Sequence, residues 1–140
     1  MLRALTATQL CVSLLMGACT QPSAIEQKVI GAWSWTYISG VGRMIFSADH
    51  TLKVGFPPDD KDGLKIDDSE FEIVQAGTWR VEGDVLVTET DNKPLRDILE
   101  HLSPSEVPAF EKKTERKKII SIDDKIMKFD DGSSLDRVHR

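Results

Sequence analysis

Few residues in this chain have the type and spacing to carry out chemistry. The sequence contains two cysteines and three histidines, and His50, His101 and His139 are not spaced as in a catalytic triad or a metal-binding motif. It has no glycine-rich phosphate-binding loop. Carboxylates are abundant but concentrate in turn-like segments, where solvation accounts for them. We therefore expect no enzymatic activity, no cofactor and no metal. A hydrolase that uses two carboxylates from separate strands is the alternative left open.

Cys19 is the one residue with a suggestive context, because it follows an apolar run and the small residues Gly17 and Ala18. The run is much shorter than the ~20 residues that span a bilayer, and Arg3 is the lone positive charge before it. Residues 1–18 therefore predict a signal peptide. Cys11 would leave with that peptide, so Cys19 would remain as a single thiol, a liability in an oxidising compartment. Attachment of a lipid removes this liability, whereas ordinary secretion with cleavage near Ala18 does not.

The stretch Leu14–Cys19 resembles the lipobox of bacterial lipoproteins. Gly17, Ala18 and Cys19 fit the pattern, whereas Met16 stands where Leu is usual. The resemblance implies that Cys19 is acylated with chains such as palmitate and becomes the new N-terminus, with residues 19–24 as lipidated cysteine and tether. It also implies a lipid-anchored protein of the cell envelope. Thr20 after the cysteine implies the outer membrane, with the protein facing the periplasm.

Charge and length limit the remaining possibilities. The chain has 18 basic and 23 acidic residues, and loss of Arg3 with the signal peptide would leave a net charge of -6. That balance disfavours a nucleic acid as partner. The length after the signal suits a single domain, which we place at residues 25–140. No later apolar run is long enough to cross a bilayer, so the lipid would be the only membrane anchor.

The first part of the domain predicts a short helix followed by strands. Ser23 and Glu26 have the spacing of a capping box, and Gly31 is expected to end the helix. Alternating aromatic residues then indicate a strand with one face towards a core. The apolar residues of the next hairpin share one face only if its loop has an odd number of residues. We therefore expect a three-residue loop with His50 in the left-handed conformation. His50 is therefore interpreted as a turn residue and not as a ligand or base.

The middle of the chain contains an acidic loop and a second hairpin. Asp60–Gly63 hints at a calcium-binding loop, but Pro58 and Ser69 stand at ligand positions, which favours a solvated loop. In the strand after it, Gly77 is expected to form a bulge or bend. A two-residue turn at Gly83-Asp84 would place Trp79 opposite Thr88 and Val81 opposite Leu86.

A helix and further strands are predicted after residue 91. The helix has an apolar stripe at the spacing i, i+3, i+4, i+7, formed by Leu95, Ile98, Leu99 and Leu102, which we expect to cover the open end of a barrel as a lid. A basic cluster follows, interpreted as the solvated entry to a strand in preference to a contact for an acidic partner or lipid headgroups; it consists of Lys112, Lys113, Arg116, Lys117 and Lys118. A two-residue loop in the following hairpin would place Ile120 opposite Met127.

These elements together predict an all-β fold, a small up-and-down antiparallel barrel of about eight strands with a short N-terminal helix and one inserted helix. Gly31-Ala32-Trp33 and Gly77-Thr78-Trp79, each with its hairpin, resemble small bacterial lipocalin-like domains. The resemblance implies that Trp33 closes the barrel floor beneath a late arginine, Arg137 or Arg140. Two departures are the short chain and a helix that interrupts the later strands.

The function expected from this fold is non-catalytic binding. In one alternative the barrel encloses a small hydrophobic ligand beneath the lid helix, in a pocket lined by Trp35, Tyr37, Phe46, Phe56, Phe71 and Trp79. In the other these aromatic residues are ordinary core, and the filled barrel binds an envelope protein as an assembly factor or inhibitor.

Overall fold

A computed structural model describes residues 23–38, 40–56 and 72–138. The described chain contains two α-helices, a single 3₁₀ turn and eight strands. In chain order these are α1 (Ala24–Val29), β1 (Gly31–Tyr37), β2 (Gly40–Phe46), β3 (Thr51–Phe56), β4 (Glu72–Glu82), β5 (Val85–Asp91), α2 (Lys93–Leu102), the 3₁₀ turn (Pro104–Glu106), β6 (Lys112–Ile122), β7 (Ile126–Phe129) and β8 (Ser134–Arg137).

The eight strands form one antiparallel sheet that closes into a ring. Each strand pairs with the next in sequence, and β8 returns to β1 through the pairs Trp33–Arg137 and Ser34–Asp136. The prediction of an all-β fold with about eight antiparallel strands and two helices is confirmed at this level. Closure pairs both sides of the sheet and so removes the open edges of a flat sheet along most of its length.

Helix α1 lies at one end of the ring, which we call the α1 end; the opposite end is the distal end. The Ser23 hydroxyl accepts a hydrogen bond from the backbone N–H of Glu26, as the capping pattern predicts. The helix ends where the N–H of Ile30 bonds to the Glu26 carbonyl, and Gly31 follows with a φ of 139°. Val29 is fully buried on the side of the helix that faces the core.

The hydrophobic core fills the ring near the α1 end. Its members come from α1 and from every strand, and they face one another across the interior because strands alternate their side chains. They are Val29, Trp33, Phe46, Leu52, Val54, Trp79, Leu86, Ile119, Met127, Phe129 and Leu135. The core therefore occupies only part of the length of the longer strands.

The two hairpins predicted in detail have the expected register. His50 has a φ of 65°, and Phe46 lies opposite Leu52 across the turn. In the β4–β5 hairpin Trp79 lies opposite Thr88 and Val81 lies opposite Leu86. These predictions are confirmed, because each depends only on a short turn and on local alternation.

Two bulges differ from the sequence expectations. The extra residue in β4 is Val74, since the partners of Val54 and Gly55 are Gln75 and Ile73, whereas Gly77 keeps a regular register. Gly77 is required for a different reason: a Cβ there would lie 1.8 Å from the backbone oxygen of Glu89.

In β6 the extra residue is Ile120, which is 60% exposed. The residue opposite Met127 is therefore Ile122, so the predicted pairing of Ile120 with Met127 is wrong. The bulge moves one isoleucine out of the alternation, and sequence parity alone does not reveal such a shift.

Strands β7 and β8 have four residues each, far fewer than β6. Pairing of β1 with β8 ends at Ser34, and the strand pairing of β6 with β7 ends at Ile119. Within the described ranges, residues 35–37 of β1 and 112–117 of β6 thus have no strand partner on these sides. Between these two strand segments, the sheet therefore does not extend as far towards the distal end as it does elsewhere in the ring.

The connection between β5 and β6 leaves the sheet and contains α2, and the hydrogen bonds of Asn92 hold its two ends together. Asn92, which is 8% exposed, donates to the carbonyl of Ala109 and accepts from the N–H of Glu111 through its side chain. Helix α2 packs mainly against β4 and the 3₁₀ turn. Neither helix in the described ranges has the length and apolar character needed to cross a membrane.

Candidate functional site

The aromatic residues that the sequence groups as one pocket or core lie in two separate places. Phe46 and Trp79 belong to the core, are 1% and 2% exposed, and meet edge to face with ring centroids 5.6 Å apart. The indole N–H of Trp79 donates to the Ser47 carbonyl at 3.0 Å. Both side chains are therefore buried, and the polar group of Trp79 has its hydrogen-bond partner. Neither residue leaves surface for a ligand.

Trp35, Tyr37 and Phe56 form the second group, which we call the aromatic wall and which extends from the core, against which Trp35 packs, into the distal half. The ring of Phe56 contacts Trp35 at 5.9 Å and Tyr37 at 5.6 Å between centroids, both edge to face. Trp35 and Phe56 are half-buried and Tyr37 is 39% exposed. This wall is thus an ordered aromatic cluster that remains accessible.

Two glycines of β2 make room for the aromatic wall. Gly42 lies opposite Trp35 and Gly40 lies opposite Tyr37. A Cβ at Gly42 would lie 2.1 Å from the indole ring of Trp35, and one at Gly40 would lie 3.0 Å from the Tyr37 hydroxyl. The Trp35 indole therefore lies across Gly42, where the close approach requires glycine, whereas only the hydroxyl end of Tyr37 comes near Gly40.

The strand β6 places a row of polar side chains on the inner face of the ring. Trp79 points into the core, its cross-strand partner is Thr88, and the partner of Thr88 on the next strand is Glu115. Since directly paired residues project to the same face, Glu115 faces inward. Lys117 is paired with the core residue Leu86 and faces inward for the same reason.

We call this inner surface the polar wall and define it by five residues that share the face of Trp79 and Leu86. They are Thr88, Thr90, Lys113, Glu115 and Lys117. The distal half of the ring is therefore lined by aromatic rings on β1 and β3 and by hydroxyl, ammonium and carboxylate groups on β5 and β6. Thr88 and Lys117 lie beside the core residues Trp79 and Leu86, so this polar lining begins at the edge of the packed core.

The charges of the polar wall are paired with one another or with the β7–β8 turn. The ammonium of Lys113 lies 2.7 Å from a carboxylate oxygen of Glu115. Lys117 donates to the Ser133 hydroxyl at 3.1 Å, lies 3.3 Å from the Asp131 carboxylate, and has its ammonium 5.3 Å from the centroid of Phe129. Hydrogen bonds from Ser133 and the nearby Lys117 lower the pKa of Asp131 to about 2. Asp131 is consequently an anion at neutral pH.

Trp33 and Arg137 meet at the α1 end. The guanidinium carbon of Arg137 lies 4.2 Å from the centroid of the fully buried Trp33 ring. Arg137 also donates to the carbonyls of Lys28 and Ile30, and the Trp33 indole N–H donates to the Val29 carbonyl at 2.8 Å. These contacts connect the first strand, the last strand and the end of α1.

The predicted lid residues lie on α2 and are less buried than a core helix requires. Leu95, Ile98 and Leu99 are half-buried, whereas Leu102 is 74% exposed. Arg96 donates to the Pro108 carbonyl and lies 6.0 Å from the Phe110 ring, which holds the helix against its own return loop. The helix is thus braced against β4 and the 104–110 segment.

Several predicted positions lie outside the described residues. They are Cys19 with the signal peptide and most of the tether, Phe71, His139, Arg140, and the acidic loop that includes Asp60–Gly63. Among the described residues, no three His, Cys, Asp or Glu side chains lie close enough together to hold a metal ion. His50 is half-exposed and its imidazole lies 3.6 Å from Glu26, at the α1 end.

The fold and the two walls define a small closed antiparallel β-sheet protein with a divided interior. No protein-family model matches the chain, and neither a curated protein nor a solved structure matches it.

Sequence reasoning missed the polar wall. The alternation of Lys113, Glu115 and Lys117 is visible in the sequence, but it looks like the solvated side of a strand. The signal that could have found it is the parity shared with Ile119, an apolar residue that has to face the core. The bulge at Ile120 obscures that signal, because Ile120 and Ile122 suggest the opposite parity.

Proposed function

We propose that this protein is a non-catalytic binding module that holds a small hydrophobic ligand in the distal half of a lipocalin-like barrel. The observation that carries the proposal is the accessible aromatic wall beside an interior that is otherwise packed. Three aromatic rings remain partly exposed in an ordered cluster, although burying them would be favourable. Exposed apolar surface of this kind commonly marks a binding site.

The size of the ring supports a single small ligand. An eight-stranded barrel is wide enough for its side chains to fill it or for one small molecule to bind. Here the core fills the α1 half, so the ligand space is confined to the distal half. The likeness to lipocalins is supported by the consecutive antiparallel order of the strands and by the contact between Trp33 and Arg137.

The lipid anchor is part of the same proposal. We infer that Cys19 carries the lipid and holds the protein at the envelope membrane, on the periplasmic side of the outer membrane. Ser23 lies at the α1 end, four positions after Cys19 in the chain, a reach of at most about 14 Å. The α1 end would then face the membrane and the aromatic wall would face the aqueous compartment.

The test uses the uncharged fluorescent dye N-phenyl-1-naphthylamine and the mature chain, residues 19–140, with Cys19→Ser, so that neither an acyl chain nor the apolar signal peptide can occupy the site. We expect the dye to bind the parent protein and Phe56→Arg to abolish binding while the protein stays folded. The matched control is Thr36→Arg, at an exposed position between Trp35 and Tyr37 on β1, which should keep binding.

A folded Phe56→Arg protein that still binds the dye would refute the proposal. If Phe56→Arg unfolds, Tyr37→Arg provides the same test at the most exposed ring of the wall. Circular dichroism of each variant separates loss of binding from loss of structure.

A second function is favoured by the exposed apolar side chains near the β1–β2 turn. Tyr37, Ile38 and Val41 are 39%, 109% and 38% exposed. This surface fits a filled barrel that binds an envelope protein as an assembly factor or inhibitor. Cross-linking in the native envelope tests it: Ile38→Arg should remove a specific adduct if a protein binds there and should leave dye binding unchanged.

A further inference from the structure

The polar wall restricts the chemistry of a ligand that lies on the aromatic wall. This inference rests on the proposed function and concerns the same site. A ligand in the distal half has aromatic rings on one side and the residues of β5 and β6 on the other. Any polar group it carries therefore meets Thr88, Thr90 and the charged residues of β6, and it is the charge of those residues that selects the group.

Within the polar wall and the adjoining β7–β8 turn the formal charges cancel, and Glu72, paired with Phe56, adds a further carboxylate on the face of the aromatic wall. Two ammonium groups, Lys113 and Lys117, are balanced by the carboxylates of Glu115 and Asp131. A ligand with a carboxylate would have to draw Lys113 from Glu115 and leave that carboxylate without its partner. A ligand with an ammonium would leave Lys113 unpaired in the same way. Each ion would also lose part of its hydration on contact with the aromatic wall, a modest cost because the Lys113 and Glu115 side chains are 58% and 40% exposed.

An uncharged hydroxyl or amide avoids these costs. Such groups donate and accept hydrogen bonds at once, so they can bond to an ammonium, a carboxylate or a threonine hydroxyl without separating an ion pair. We propose that the site takes uncharged amphiphiles, in which a short apolar chain or ring lies on the aromatic wall and a hydroxyl or amide group faces the polar wall.

The outer face of the same strands provides an internal comparison. There Arg80 lies 3.4 Å from Glu89, and Arg80 and Arg116 both pair with Glu82. These groups resemble those of the polar wall in type, yet no aromatic wall faces them. Between Arg80 and Arg116 lies Val87, which is fully buried on this outer side. The outer ion pairs therefore cover an apolar residue and do not line the interior.

The experiment compares three amphiphiles with the same eight-carbon chain, namely octyl glucoside, octanoate and octylamine. Each is titrated below its micelle concentration into the mature chain, residues 19–140, with Cys19→Ser, and binding is followed by calorimetry. We expect octyl glucoside to bind about fivefold more tightly than either ion, in line with the modest strength of partly exposed ion pairs.

Two variants at the polar wall should change the preference in opposite directions. Glu115→Gln frees Lys113, so octanoate should gain about fivefold relative to octyl glucoside. Lys113→Gln frees Glu115, so octylamine should gain instead. The matched control Glu89→Gln breaks the ion pair on the outer face and should leave all three ratios unchanged.

Tightest binding by octanoate or octylamine to the parent protein would overturn this inference and leave the proposed function standing. Equal ratios in the parent and in Glu115→Gln would also overturn it, because the polar wall would then not contact the head group. Failure of all three amphiphiles to bind, together with failure of the uncharged dye, would refute the proposed function itself.

Discussion

Trp33 and Trp35 are two residues apart on β1 and face the same interior, yet their surroundings differ. Trp33 is fully buried, its indole N–H is bonded, and Arg137 lies against its ring. Trp35 is half-buried and contacts Phe56 by its edge. The comparison indicates that β1 stabilises the fold at the α1 end through Trp33 and presents an accessible surface in the distal half through Trp35.

Replacing each tryptophan by alanine tests whether the two residues contribute differently to stability, and it should give the largest effect. Trp33→Ala should lower the free energy of unfolding by about 3–5 kcal/mol, since it removes a large buried side chain and leaves a cavity. Trp35→Ala should cost about 1–2 kcal/mol, because only part of its surface leaves water. Urea denaturation measures both. Equal losses would contradict the division into two halves.

Arg137→Lys tests how the α1 end is held together. Lysine cannot reproduce the two hydrogen bonds to the carbonyls of Lys28 and Ile30 and the stacking on Trp33, so we expect a loss of about 2 kcal/mol in unfolding free energy. Arg80→Lys on the outer face is the control and should lower the free energy of unfolding much less, because its ion pairs are exposed. A loss no larger than that of the control would show that the contacts of Arg137 do not stabilise the fold.

Gly42→Ala tests whether the Trp35 ring lies across β2 in the distal half. The added methyl group would meet the Trp35 ring, which has to rotate away. We expect a cost of about 1 kcal/mol and a shift in tryptophan emission to longer wavelength as Trp35 becomes more exposed. Gly40→Ala is the control, since its methyl would meet only the end of the Tyr37 side chain. Unchanged emission in Gly42→Ala would mean that the ring does not lie across this glycine.

The smallest effect is expected from pH at the turn that supports the polar wall. Because the pKa of Asp131 in the folded protein lies below its ordinary value of 3.8, its contribution to stability is present above about pH 4 and is lost as the pH falls towards 2. Asp131→Asn should therefore flatten the decline of the unfolding free energy in this range. Denaturation at several pH values measures it, and an unchanged slope in the variant would show that Asp131 is not linked to folding.

The accuracy of the sequence predictions follows the range of the interactions involved. The His50 turn and the β4–β5 register depend on a few adjacent residues, and both are as predicted. The bulges at Val74 and Ile120 depend on how strands fit together when the sheet closes, and neither was predicted. A bulge reverses the parity of all later residues in its strand, so one missed bulge changes which side chains face inward.

The same limit applies to the candidate site. Trp35, Tyr37 and Phe56 could be placed on one inner face from their alternation. Their separation from Phe46 and Trp79 could not, because it depends on how far the core extends along each strand. The polar wall could not be found either, since Lys113 and Glu115 become interior residues only through their pairing with β5.

The sequence by itself determined the all-β class, the approximate number of strands and the registers of the β2–β3 and β4–β5 hairpins, because turn chemistry and alternation are encoded within about ten residues. Tertiary structure decided which half of the interior is packed, which half is lined by two unlike walls, and where short β7 and β8 lower the side of the ring. The physical reason is closure: the last strand must meet the first, and the resulting register sets the neighbours of every inward side chain at once.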